Sequence, residues 1–149
     1  MLGDMTRDQM DGLFRSEFFG RIGCHAEGQT YIVPIGFAYD GEYVYAHSAD
    51  GMKIRALRAN PRVCFQVDHV DNLANWRSAI AWGVYEELSG MDEAHARNKL
   101  ADRFGPVTTS ESSHPVSGPR TVGDADGDVQ RAIFFRIRIT ERTGRFEKQ

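Results

Sequence analysis

The chain has 149 residues, 18 Lys plus Arg against 21 Asp plus Glu, a formal net charge of −3 and 41% hydrophobic residues. That is the profile of one globular domain spanning 1–149, large enough for its own core. Two cysteines cannot supply a four-ligand structural zinc site, and the mild acidity counts against a nucleic-acid binder. No signal-peptide pattern opens the chain and no 18-residue apolar run occurs, so neither secretion nor a membrane span is expected and the predicted address is cytoplasmic.

Thr6 as N-cap and Gln9 at the capping-box position predict a helix over 7–18 within an N-terminal helical segment 1–18, with Met10, Leu13, Phe14 and Phe18 on one stripe. From residue 20 the period becomes two, giving a strand to Ala26 and a turn at Glu27-Gly28-Gln29. Residues 30–39 form the next strand. Its core face is Tyr31, Val33, Ile35, Phe37 and Tyr39, and its other face thins to Pro34, Gly36 and Ala38 beyond Ile32. A proline inside a strand marks an edge, an end or a bulge. The thin face therefore suits either a barrel corner or the close approach of a flat ligand.

Asp40-Gly41 predicts a hairpin into Glu42–His47, and a turn through Ser48 to Lys53 leads into a helix that stops at Asn60-Pro61. Strands follow over 62–70 and 76–88, the second broken or bulged near Gly83. Ser89 is placed to cap a helix over 91–104 whose stripe includes Ala94, Leu100, Ala101 and Phe104. The Ser-, Gly- and Asp-rich stretch from 105 to about 130 reads as a mobile loop, and a last strand runs from Ala132 to Ile139. Hairpin-linked strands punctuated by short helices predict a mainly β fold with flanking helices, a six-stranded antiparallel barrel.

Only three of the 18 basic residues are lysines, and Lys53 falls in a turn that runs from a strand end into a helix. Such a turn aims backbone N–H groups and the positive end of a helix dipole at one point, which suits a phosphate, with Ser48 adding a hydroxyl. The ordinary alternative is a turn in which Asp50 caps the helix and Lys53 is solvated. Arg77 and Ser78 open the long strand, and they serve the same anion if the two segments converge. No nucleophile elbow occurs, Cys24 and Cys64 sit inside strand patterns, and the histidines are scattered, so no metal site is predicted. Asp124–Asp128 lacks the glycine position and closing Glu of a calcium loop.

The ordered set of Tyr31-x-Val33-Pro34-Ile35, Asp40-Gly41, Tyr45-x-His47-Ser48-Ala49, Gly51-x-Lys53, Asn60-Pro61-Arg62-Val63-Cys64-Phe65 and Trp76-Arg77-Ser78 resembles the pyridoxamine-phosphate-oxidase-like split-barrel flavoproteins, most closely their nitroimidazole-resistance branch. The resemblance implies a Greek-key split β-barrel, a homodimer, and FMN held at the dimer interface. It implies that the main chain of Val33, Pro34 and Ile35 lines the flavin ring, that His47 and Ser48 lie beside the ring and ribityl chain, and that Lys53 binds the phosphate. Arg77 and Ser78 would complete the polar wall. Met52 stands where the oxidase branch offers a second cation, and the substrate signature of true vitamin B6 oxidases is not evident after Ile133. The activity it implies is reduction of a small planar or nitroaromatic acceptor with NAD(P)H as donor, His47 being the candidate catalytic residue. A deazaflavin-dependent reductase and a non-enzymatic flavin- or haem-binding module are the alternatives.

Overall fold

The computed structural model describes residues 1–105, 121–123 and 129–149. Among these residues three helices, α1 (Arg7–Ser16), α2 (Met52–Ala59) and α3 (Gly90–Phe104), accompany ten strands: β1 (Leu2–Asp4), β2 (Phe19–Ala26), β3 (Gln29–Gly36), β4 (Ala38–Tyr39), β5 (Tyr43–Ser48), β6 (Arg62–Asn72), β7 (Asn75–Glu87), β8 (Thr121–Gly123), β9 (Val129–Arg131) and β10 (Ile133–Glu147). Apart from the β8–β9 pair, the strands form one antiparallel sheet in the order β3-β2-β6-β7-β10-β5-β4, with β1 added against the end of β10. Among the described residues no helix is long and apolar enough to cross a membrane.

The split follows from one residue. β3 and β4 stand at opposite ends of the sheet yet are separated only by Phe37. Its N–H donates to the Phe18 carbonyl (3.2 Å), and its buried ring meets Phe65 edge-on, centroids 4.8 Å apart. One stretch, 29–39, thus supplies both edges of a sheet that curls back on itself without a closed hydrogen-bonded path. Counted once, that stretch joins β2, β5, β6, β7 and β10 as six principal strands, matching the expected barrel.

The inward faces of β2, β6, β7, β10 and β5 meet Leu13 and Phe14 of α1 and Ile54 and Leu57 of α2 in the main core. A second cluster joins Ala38, Tyr45 and Phe134 to Ala96 and Leu100 of α3. The α1 capping box forms as the spacing predicts: Gln9 N–H donates to Thr6 Oγ1 (3.2 Å) and Thr6 N–H to Gln9 Oε1 (2.8 Å).

Several expectations need correction. α1 ends at Ser16, so Phe18 lies beyond it, beneath the Arg103 guanidinium (3.9 Å). Gly51, not Asp50, is the N-cap of α2, and Ser89 caps α3 by position with no side-chain hydrogen bond. Ala94 is exposed, and Ala96 takes its place in the core. β7 runs unbroken past Gly83; the irregularity lies opposite, at Thr140 of β10, between the pairings Ile139 to Gly83 and Glu141 to Trp82. β10 continues eight residues past Ile139, to Glu147. Of the predicted 105–130 loop, Thr121–Gly123 and Val129–Arg131 pair as strands. Its remainder past Gly105, with the Asp124–Asp128 motif, lies outside the described residues.

Candidate functional site

β5 delivers His47 and Ser48 at its C-terminal end, and after three intervening residues α2 begins with Lys53 in its first turn. Lys53 Nζ donates to Ser48 Oγ (3.1 Å), and that hydroxyl donates to the Ala49 carbonyl (3.0 Å). Lys53 is half-buried, and burial pulls its pKa below the ordinary lysine value. Among the described residues no carboxylate lies within ion-pair distance of it. The Gly51 N-cap has no side chain to satisfy the first N–H groups of α2, and there is open space where its Cβ would be. A desolvated ammonium, a hydroxyl and unmet amide donors therefore share one turn. Together they suit an anion with several oxygen acceptors.

The His47 ring is half-buried and lies 5.3 Å from the Phe134 ring, its cross-strand partner on β10, tilted by 32°. Arg97 of α3 packs over the same Phe134 ring at 4.8 Å.

Lys53 lies close enough to Cys24 of β2 for each to influence the other's charge. Cys24 pairs with Tyr31 of β3, so Val33 begins about 7 Å further along that strand. Ile35 is buried, Val33 packs partly into the core, and Pro34 and Ile32 face outward, Ile32 being 66% exposed. β3 terminates the sheet, so one side of its main chain has no strand partner among the described residues. The edge position predicted from Pro34 is met; Gly36, further on, is covered by Phe104, which a Cβ there would meet at 3.1 Å.

Arg77 and Ser78 are not part of this cluster within one chain. Cys24 pairs with Val63 and Val63 with Gly83, which puts Ser78 five residues, about 17 Å, along β7 from the level of Cys24. Strand alternation also divides the two. Ser78 Oγ accepts from Gln66 Nε2 (3.0 Å) on the outer sheet face, where Arg21 bridges Gln66 and Asp68. Arg77 instead lines a cleft of about 770 Å³ with Gln9, Gly12 and Ser16 of α1 and with Trp76 and Phe146.

The sequence reading missed the group behind the phosphate-suited turn. Arg58, in the last turn of α2, donates from Nε and a terminal nitrogen to the two oxygens of Glu87 (2.8 and 3.0 Å) and from the other terminal nitrogen to Asp50 (3.3 Å). Tyr85 O–H donates to Glu87 as well (2.8 Å). Arg58 holds the Glu87 carboxyl below its ordinary pKa, while burial and then Glu87 push the Tyr85 phenol up. Glu87 is 29 residues from Arg58, so no local spacing could reveal the pair.

The sequence profile of the family described as pyridoxamine 5′-phosphate oxidase matches residues 6–146. An uncharacterised protein of Rhizobium meliloti strain 1021 is 28% identical over 141 residues, covering 95% of this chain and 92% of that protein. The crystal structure of an FAD-binding protein from Mesorhizobium loti superposes with a TM-score of 0.73 at 29% identity, covering 99% of each chain. That of a candidate 5-nitroimidazole antibiotic resistance protein from Bacteroides thetaiotaomicron gives 0.71 at 20% identity, covering 98% of this chain and 87% of the other, a likeness of fold.

Proposed function

Because this chain belongs to the pyridoxamine 5′-phosphate oxidase family, we propose that it is an FMN-binding flavoprotein that works as a homodimer and passes reducing equivalents from NAD(P)H to a small planar acceptor of the nitroaromatic type. The observation that carries this reading is the half-buried Lys53, which lacks a carboxylate among the described residues, sits against Ser48 and belongs to the first turn of a helix whose N-cap makes no side-chain hydrogen bond. A buried cation without a counter-ion is unfavourable, and a cofactor phosphate supplies the missing charge.

The flavin, when bound, supplies the hydride and electron transfer. The chain's own residues bind and orient it. Lys53, Ser48 and the first N–H groups of α2 hold the phosphate. The unpaired side of the β3 main chain from Val33 to Ile35 accommodates the planar ring, where small or outward-turned side chains leave room. His47, braced by Phe134, stands at the β5 end beside that ring, where its imidazole nitrogens can hydrogen-bond to the flavin or the acceptor. Ser78, on the outer sheet face, belongs to the wall completed by a second copy, while Arg77 faces the cleft beneath α1 and does not join it.

The Mesorhizobium loti relative, described as FAD-binding, favours FAD as the second reading. Purified protein with a visible flavin band, followed by chromatography of the released cofactor, separates FMN from FAD. Lys53→Ala is expected to weaken FMN binding by about tenfold or more, the worth of a charge-assisted hydrogen bond. A colourless protein that takes up no flavin, or one with a haem band, overturns the reading.

A further inference from the structure

Asp50 stands three residues before Lys53 and one before the N-cap of α2. A carboxylate there is in reach of two favourable partners, the unmet N–H groups of the first helical turn and the Lys53 ammonium. It meets neither. Its Oδ2 is turned to Arg58, one helical length away, and Arg58 is itself fixed by both oxygens of Glu87. Glu87 is anchored in turn by the hydroxyl of Tyr85, whose ring packs on Phe135 in the core at 5.1 Å. A guanidinium pinned by a bidentate carboxylate presents its remaining nitrogen in a fixed direction, so the order of attachment runs from the core outward: Tyr85, Glu87, Arg58, Asp50.

We propose that Asp50 is a built-in competitor for the anion turn and that Arg58, oriented by Glu87, holds it aside so that Lys53 and the α2 N-terminus stay open to an incoming phosphate. This rests on the reading of that turn as the flavin phosphate site and assigns Arg58 and Glu87 as positioning residues for it. Released from Arg58, the Asp50 carboxylate turns back to cap α2 or to pair with Lys53, and it then repels a phosphate from the same donors. The three side chains are each 38 to 46% exposed, so the clamp weakens as salt is raised.

The test is a double-mutant cycle on the full chain with FMN as probe, read by quenching of flavin fluorescence. Arg58→Ala is expected to weaken FMN binding by about fivefold, the fold-change that corresponds to an N-cap bond formed in competition. Adding Asp50→Ala is expected to restore affinity to within about twofold of wild type, and Asp50→Ala alone to bind at least as tightly as wild type. A purely structural role for Arg58 predicts no such rescue, so equal loss in the single and double variants overturns the proposal, as does an unchanged Arg58→Ala. If Arg58→Ala fails to fold, as judged by its thermal melt, Glu87→Gln with and without Asp50→Ala is read in the same way. Inorganic phosphate titrated against the same proteins by phosphorus NMR separates the two readings. Phosphate binding with the rescue pattern but no FMN uptake overturns the flavin assignment and keeps the clamp; FMN binding without rescue overturns the clamp alone; binding of neither overturns both.

Discussion

Gly83 shows how a single missing side chain fixes the barrel wall. A Cβ there would collide with the Arg138 carbonyl oxygen and meet Ile137 Cγ2 at 2.8 Å, both on β10, where the ladder passes into its irregularity at Thr140. The sequence announced a disturbance at Gly83, but not that it lies in the partner strand, because a glycine permits close approach without saying which chain deviates. Gly83→Ala is expected to destabilise the fold by about 2 kcal/mol through forced displacement of backbone, seen as a lower urea midpoint with unchanged slope. An unchanged midpoint means that β10 gives way freely at the bulge. At the other end of the domain the Thr6 cap acts locally. Thr6→Ala is expected to cost about 1 kcal/mol and Thr6→Ser little, by the same measurement, since serine keeps the oxygen that accepts from Gln9.

Between elements, His69 ties the end of β6 to the exit of α1. Its Nδ1 lies 3.3 Å from Glu17, the C-cap of α1, and its Nε2 3.1 Å from Asp71, while Arg77 pairs with it across the ladder and opposes its charge. The hydrogen bond to Glu17, then that to Asp71, raises the His69 pKa above its ordinary value of 6.5. Because the folded pKa exceeds the unfolded one, the tie is fully present below the ordinary value and is lost as pH rises through the folded one. Amide exchange at residues 17–19 is therefore expected to quicken as pH rises above 6.5, beyond the intrinsic base-catalysed rise, and His69→Gln to abolish that excess. Equal excess in both proteins refutes the tie. Neither Glu17 nor His69 has a local spacing that marks it, which separates such links from the α1 capping box, legible because its partners are three residues apart. The second half of β10 escaped the sequence reading for a related reason. Its inward positions are Arg142, Gly144 and Phe146, and two of these are not hydrophobic. Arg142 turns in to reach Tyr39 and the Gly41 carbonyl, and Gly144 makes room for Met10 and Met5. The six principal strands were legible because their apolar alternation is intact, whereas β1, only three residues long, carries no period at all.

On the scale of the whole molecule, the expected site residues fall into two groups. His47, Ser48 and Lys53 gather at the start of α2, and Ser78 lies on the outer face about 17 Å along β7 from the level of Cys24. Spacing along the chain had no means of measuring that gap, because it is set by the registers of β2, β6 and β7 together. If Lys53 and Ser78 serve one flavin, a second copy must supply one of them, and the outer face is suited to receive it: Ile32 and Trp82 are exposed there, 66% and 38%, and Pro34 keeps the neighbouring edge from pairing as a strand. This arrangement has a consequence that a single-chain site lacks. In the homodimer proposed above, each site would combine Lys53 of one protomer with Ser78 of the other. Co-expressed chains carrying Lys53→Ala and Ser78→Trp then form mixed dimers in which one site has lost both contributions and the other keeps both intact. Each variant alone is expected to bind little FMN, and mixed dimers, isolated by two different affinity tags, to bind one FMN per pair at wild-type affinity. If all the residues act within one chain, every site in the mixed dimer carries one lesion and none recovers, so flavin stoichiometry in the purified mixed dimer decides between the two architectures.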